Sequence, residues 1–119
     1  AAIESPTRKF YLLLEGDIAV GYLYIDHKES SNEVEISYGI SEKKSGHGLA
    51  KIMIQKWLSK MEGESIKIFA WIAISNVPSI KSVEALGFVK TQSEETRVFA
   101  QEAKPVKFCR YDKYNGDCL

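Results

Sequence analysis

The chain has 119 residues, and its 16 Lys plus Arg balance its 16 Asp plus Glu, so the formal net charge is zero. This length predicts a single domain over residues 1–119. The charge balance argues against a protein that binds nucleic acid mainly by electrostatic attraction, because such a protein needs a basic surplus. With 45% hydrophobic and 27% charged residues, the composition is typical of a folded globular domain.

The cysteines and the hydropathy favour a cytoplasmic protein without a membrane span. A disulfide between Cys109 and Cys118 would close only the tail, so free thiols in a reducing compartment are expected. The longest apolar run, residues 68–74, is too short to cross a bilayer. The N-terminal residues lack a basic stretch followed by an apolar one, so no secretory signal is expected.

The first third of the chain predicts three strands. Residues 10–14 and 18–25 are apolar runs separated by a turn at Gly16, which predicts an antiparallel hairpin. The polar residues 26–32 predict a loop, and residues 33–40 alternate as a third strand. Its predicted apolar face carries Val34, Ile36, Tyr38 and Ile40, and its polar face carries Glu33, Glu35, Ser37 and Gly39.

The remaining chain alternates helices with strands. Residues 48–61 have helical apolar spacing, and residues 66–74 predict a strand covered on both faces. A second helix is predicted over residues 75–86, with Ser75 or Asn76 as its N-cap. Residues 89–114 predict one or two strands, with a polar turn near residues 101–104. The order β-β-β-α-β-α-β-β predicts an α/β domain with a mixed, mostly antiparallel sheet and helices on its faces.

The turn before the first helix has the features of a phosphate-binding site. Gly46 and Gly48 let backbone N–H groups converge, and the first helical turn leaves N–H groups unpaired at the positive end of the dipole. Lys43 and Lys44 add positive charge. The alternative is an ordinary glycine-rich helix entry. Neither a Walker A loop nor a dinucleotide fingerprint is present, so a phosphate-rich ligand other than ATP or NAD is indicated.

A second segment places Asn76 after a strand, Ser79 three residues later, and Leu-Gly-Phe at the end of the following helix. With the first turn, this segment resembles the GNAT family of acyl-CoA-dependent N-acetyltransferases over residues 10–88. The strand, turn and helix are most similar to those of ribosomal-protein alanine N-acetyltransferases. The resemblance implies the GNAT fold, acetyl-CoA as cosubstrate, and transfer of acetyl to a primary amine. A protein N-terminus or a small-molecule amine is the implied acceptor.

The resemblance also implies the site residues. In this family the third strand parts from its neighbour, here residues 69–74, and pairs with the pantetheine arm, while the turn holds the pyrophosphate. Asn76 would contact the arm, and Ser79 would lie near the sulfur. The implied cofactor-binding residues are Tyr38, Ile40, Lys43, Lys44, Ser45, Gly46, His47, Gly48, Leu49, Ala50, Asn76 and Ser79.

Glu35 and Ser79 are the implied catalytic residues. The amine attacks the thioester only when neutral, and Glu35 is the candidate base. A solvated carboxylate is the alternative interpretation, and the same choice applies to Glu33. His47 is interpreted as a spacer between the glycines, and the two histidines lack clustered carboxylates, so no metal site is predicted.

The sequence departs from the family in three places. Lys43 replaces the usual Arg or Gln. Val83 replaces the tyrosine that many members use to protonate the thiolate. Ser79, Ser82 or water would then take that role, or the thiolate would leave unaided. Only residues 1–9 precede the hairpin, where the family has helices that wall the acceptor pocket. The alternatives are a non-catalytic acyl-CoA-binding or partner-regulating module, and a homodimer that completes the pocket in trans.

Overall fold

A single six-stranded sheet organises the molecule. The computed structural model describes residues 7–28, 31–61, 63–98 and 104–115. Its elements are β1 (Arg8–Glu15), β2 (Ile18–Lys28), β3 (Glu33–Ile40), a short 3-10 turn (Glu42–Lys44), α1 (Leu49–Lys60), β4 (Ile66–Ala73), α2 (Val77–Ala85), β5 (Val89–Val98) and β6 (Pro105–Asn115). The strand order is β1-β2-β3-β4-β6-β5. Only the β3–β4 pair is parallel, and the predicted α/β fold and element order are confirmed.

Both helices pack on the same face of the sheet. Ile68, Ala70 and Ile72 of β4 point toward the helices and share one core with Ile54 of α1 and Val83 of α2. The helices therefore cover one face of β4, and other side chains cover its opposite face. We call the opposite face, which carries Glu33, Glu35, Phe69, Trp71 and Arg110, the open face.

A charged side chain covers the apolar residue that the open face would otherwise expose. Phe69 is only 5% exposed because the guanidinium of Arg110 lies 3.9 Å from its ring centroid. The apolar run in β4 is thus explained by a helix layer on one side and a cation–π contact on the other. The sequence alone does not tell whether a helix or a guanidinium group covers a buried phenylalanine.

The strand β2 is longer than predicted. It continues through Asp26 and His27 to Lys28, where a polar loop was expected. Lys28 Nζ lies 3.0 Å from Asp26 Oδ2 and 3.2 Å from Glu35 Oε1. The hydrogen bond to Asp26 raises the pKa of Lys28, although partial burial opposes the shift. Ion pairs across the strands therefore extend the ladder beyond the apolar residues.

The last two strands are separate, as one of the two interpretations predicted. The predicted turn near residues 101–104 lies outside the described residues except for Lys104. Cys109 is a buried free cysteine, and Cys118 lies outside the described residues. In the described part of the chain, no helix is long and apolar enough to cross a membrane.

Two isoleucines of α1 test the assignment of the core. Ile54 is 0% exposed and Ile52 is 46% exposed. We expect Ile54→Ala to lower the free energy of unfolding by about 2–5 kcal/mol, because it removes buried methylenes and leaves a cavity. The matched Ile52→Ala should change it by less than about 0.5 kcal/mol. Urea unfolding measures both, and equal effects would contradict the packing of α1.

Candidate functional site

The strands β3 and β4 separate halfway along their length. Their parallel pairing consists of Glu33 with Lys67, Val34 with Ile68, and Glu35 with Phe69. Beyond this point β3 continues to Ile40 beside β2, and β4 continues to Ala73 beside β6. Alternate backbone groups of residues 36–40 therefore face a gap instead of a strand. We call the last paired position, at Glu35, the fork.

Glycines hold the free half of β3 against β2. A Cβ at Gly39 would come within 2.6 Å of the Tyr22 ring, and one at Gly21 within 2.7 Å of Ile40 Cδ1. The ladder runs to the end of β3, and Ser41 N–H then donates to the Val20 carbonyl at 2.7 Å. Close packing on the β2 side thus fixes the free edge that faces the gap.

The start of α1 presents unpaired amides at the end of this gap. Gly46 and Gly48 have φ values of 84° and 72°, a conformation that costs other residues strain. Gly48 is the N-cap, no side chain of the described residues caps the helix, and its first turn has no acidic residue. The first backbone donor paired within this helix is Ile52 N–H, which bonds the Gly48 carbonyl at 3.1 Å. The amides before it point outward at the positive end of the dipole.

The start of α2 differs from that of α1, because residues at the helix start itself pair its backbone N–H groups. Asn76 is the N-cap, and its Oδ1 accepts a hydrogen bond from Ser79 N–H at 3.4 Å. Pro78 lies in the first turn, where no N–H is required. The sequence left Ser75 and Asn76 as alternatives for the N-cap of α2, and the N-cap is Asn76. Of the two helix starts, only that of α1 keeps its amides for a ligand.

One cavity joins the gap, the turn and α2. Its volume is about 520 Å³, within the range of small-molecule sites. Most of the implied cofactor-binding residues line it, namely Tyr38, Ile40, Lys44, Ser45, Gly46, Gly48, Leu49, Ala50, Asn76 and Ser79. Lys81 and Ser82 also line it and were not among the implied binding residues. Ser82 lies three residues after Ser79 and Lys81 three residues after Pro78, and this helical spacing is the signal that would have found them.

Three implied site residues do not line the cavity. Lys43 and His47 lie in the turn beside it, and Glu35 lies at the fork on the open face. Lys44 does line it, and its Nζ forms an ion pair with Glu15 Oε1 at 2.7 Å. The site therefore has two separate parts. One is the cavity, which is lined by backbone groups and cations and which we call the helix-side cleft. The other is the Glu35 carboxylate at the fork.

A second cluster of charges lies on the open face near the fork. Arg110 donates to Asp112 Oδ1 at 2.7 Å and to Glu33 Oε2 at 3.3 Å. Burial would lower the pKa of Arg110, but Asp112 and Glu33 outweigh it and raise the pKa. Lys67 joins the same carboxylates at 3.8 and 4.0 Å. Glu33 is therefore neutralised by two cations, whereas Glu35 is paired with Lys28 alone among the described residues.

Val83, which stands where many family members have tyrosine, faces away from the cleft. It is 0% exposed and belongs to the core beneath α2. Within the described residues, no group of three or more His, Cys, Asp or Glu side chains is arranged to hold a metal ion.

Comparison with known proteins agrees with this geometry. Residues 2–88 match the Acetyltransferase (GNAT) family. The chain belongs to the GNAT acetyltransferase family. No curated protein matches the sequence. The match covers both glycines of the turn and all of α2, so it includes every element that lines the cleft.

Solved structures share the GNAT fold at low sequence identity. The ribosomal-protein-S18-alanine N-acetyltransferase from Escherichia coli has a TM-score of 0.80 at 11% identity, over 98% of this chain and 74% of that one. A phosphinothricin acetyltransferase from Sinorhizobium meliloti, in complex with AcCoA, has 0.73 at 19%, over 90% and 60%. The putative acetyltransferase yncA from Salmonella typhimurium, with its cofactor acetyl-CoA, has 0.74 at 16%, over 92% and 66%. The chain thus spans less than two thirds of the length of the S. meliloti enzyme.

The capping role of Asn76 is directly testable. We expect Asn76→Ala to lower the free energy of unfolding by about 0.5–1 kcal/mol, because Ser79 N–H loses its acceptor. Asn76→Asp keeps an oxygen acceptor and should retain most of the stability. Denaturant unfolding distinguishes them. Equal losses in both variants would mean that the amide group of Asn76 acts through another contact.

Proposed function

We propose that this chain binds acetyl-CoA in the helix-side cleft and transfers its acetyl group to a primary amine. The observation that carries the proposal is the joining of two features in one cavity. One is the unpaired edge of β3, and the other is the uncapped start of α1. The edge suits an amide-containing arm and the helix start suits a diphosphate, so together they match the two polar parts of coenzyme A.

The cofactor roles follow from these positions. The amides from Gly46 to Ala50 would hold the pyrophosphate, whereas Ser45 N–H, expected in the same role, already donates to the Glu42 carbonyl at 3.3 Å. Lys44, released from Glu15, would neutralise part of the charge. The backbone at Tyr38 and Ile40 would pair with the pantetheine arm. Lys43, just before the glycines, would contribute by charge, and His47, between them, would contribute its backbone amide. Asn76 would contact the arm while its Oδ1 caps α2, and Ser79 would face the sulfur.

The amine would approach through the gap from the open face. Acetyl-CoA, when bound, supplies an activated acetyl thioester. Backbone N–H groups on the free half of β3 would polarise its carbonyl. Glu35 would accept the proton of the amine, directly or through water, because it lies at the fork where the gap begins. The fold shared with the S18-alanine acetyltransferase favours a protein N-terminus as acceptor, with a small-molecule amine as the second choice.

The first test asks whether coenzyme A binds at the turn before α1 or elsewhere on the surface. We expect Gly46→Asp to weaken coenzyme A binding at least tenfold in calorimetry, because it places a carboxylate beside the pyrophosphate. Gly63→Asp is the matched control, since Gly63 also has positive φ and open space around it but lies at the other end of α1. Equal affinities of both variants and the wild type would contradict the assignment of the turn.

The second test concerns the base. We expect Glu35→Gln to lower kcat by about 10²-fold or more while coenzyme A affinity is unchanged, because proton removal from the amine is lost. The assay incubates acetyl-CoA with mixed peptide and small-molecule amines and detects free thiol. Glu33→Gln, on the same strand face but paired with Arg110 and Lys67, should remain active. Unaltered turnover in Glu35→Gln would remove Glu35 as base.

A wild-type result is also informative in this assay. If coenzyme A binds and thiol is released no faster than by hydrolysis with any acceptor, the chain is an acyl-CoA-binding module and not a transferase.

A further inference from the structure

The cleft contains a phenol on the free half of β3. Tyr38 lines the cavity, and its hydroxyl donates to the backbone carbonyl of Ser79 in the first turn of α2. Burial raises the pKa of Tyr38, although the hydrogen bond to Ser79 opposes the shift. The hydroxyl therefore keeps its proton at neutral pH. It lies between the strand edge that would pair with the pantetheine arm and the helix turn that would face the sulfur.

The hydrogen bond of this phenol is easily exchanged. Its length of 3.2 Å is greater than the usual O–H···O distance of about 2.7–2.8 Å. The acceptor lies inside a helix, where a carbonyl regularly receives the amide four residues later. Release of Tyr38 thus leaves the Ser79 carbonyl with a partner, and the phenol itself needs a new acceptor, which a stronger one within reach would supply.

We propose that Tyr38 donates its hydrogen bond to the sulfur of the departing thiolate. The proposal rests on the proposed function. The nitrogen–carbon bond forms, the carbon–sulfur bond breaks, and the electron pair stays on sulfur. Tyr38 stabilises that charge without losing its own proton, and the thiolate then takes a proton from solvent. The proton of the amine goes to Glu35 or water.

The neighbouring groups on α2 that could replace a phenol as donor lack a proton, are weaker donors or are already committed. Val83 has no proton to donate and is 0% exposed. Ser82 Oγ donates to the Pro78 carbonyl at 3.0 Å. Ser79 has a hydroxyl that would lie near the sulfur, but an aliphatic alcohol is a weaker donor than a phenol. Among the described residues that line the cleft, the charged side chains are Lys44 and Lys81, and both stay unchanged in the variants below.

The experiment measures the pKa of the thiol of bound coenzyme A, so it needs no acceptor. Thiolate absorbance is followed against pH as the difference between complexes with coenzyme A and with its desulfo analogue, which cancels the tyrosine signal. We expect a bound thiol pKa below that of free coenzyme A. Tyr38→Phe should raise it by about one unit, because a hydrogen bond to a charged group is lost. Affinity for the neutral thiol should change by less than threefold.

Tyr111→Phe is the matched control. Tyr111 is also a buried tyrosine of raised pKa, caused first by burial and then by the charge of Glu84, but it does not line the cleft. Its variant should leave the thiol pKa unchanged. A bound thiol that titrates as free coenzyme A does, or an equal pKa in wild type and Tyr38→Phe, would overturn the role of Tyr38 and leave cofactor binding intact. Failure of the wild type to bind coenzyme A would instead overturn the proposed function, and Tyr38 with it.

Discussion

Half of a strand without a second neighbour is the constraint on which the cleft depends. Backbone N–H and C=O groups require partners, and a strand inside a sheet normally has them on both sides. Residues 36–40 have them on the β2 side only. Water supplies the missing partners in the free protein, and a ligand with amide groups can replace that water without disrupting any existing bond. The gap therefore has backbone groups that an extended, amide-containing chain could pair with, which is the basis of the proposed function.

The two helix starts beside this gap differ in how their backbone N–H groups are paired. The side chain of Asn76 caps α2, so the start of this helix needs no ligand. Its Ser79 carbonyl accepts the hydrogen bond of Tyr38. Within the described residues the start of α1 has no such cap, and no atom lies within 4 Å of where a Cβ would stand at Gly46 or Gly48. A cap on α1 would stabilise the helix, typically by about 1 kcal/mol, and its absence leaves that stabilisation for an anion to supply. The missing cap and the proposed role of this helix start in binding phosphate therefore have the same physical origin.

The open face is organised by charge instead of by packing. Glu33, Asp112, Arg110 and Lys67 form a connected network, and Arg110 also shields Phe69 from water. These pairs fix the side chains beside the fork and neutralise one another. Glu35 lies at the edge of this network with Lys28. This position gives a carboxylate that is ordered yet close to the gap, in contrast to Glu33, which two cations hold.

Features encoded locally were predictable from the sequence, and features that depend on distant contacts were not. The alternation of apolar and polar residues predicted the two faces of β3, and the pair Gly46 and Gly48 predicted an open helix start. Both features depend on short-range backbone preferences. The extension of β2 to Lys28 depends on cross-strand ion pairs, and the cover over Phe69 depends on Arg110, which is 41 positions later in the chain. The burial of Val83 follows from the placement of both helices on one face. No local pattern in the sequence reports these long-range contacts.

The most direct measurement is an amide chemical-shift titration of the uniformly labelled protein with coenzyme A, compared with inorganic pyrophosphate. If the helix start holds the diphosphate and the gap holds the arm, coenzyme A will shift the amides of residues 45–51 and 36–40 together. Pyrophosphate will shift only the first group. Shifts confined to the open face, or a coenzyme A titration that leaves residues 36–40 unperturbed, would contradict the assignment of the cleft.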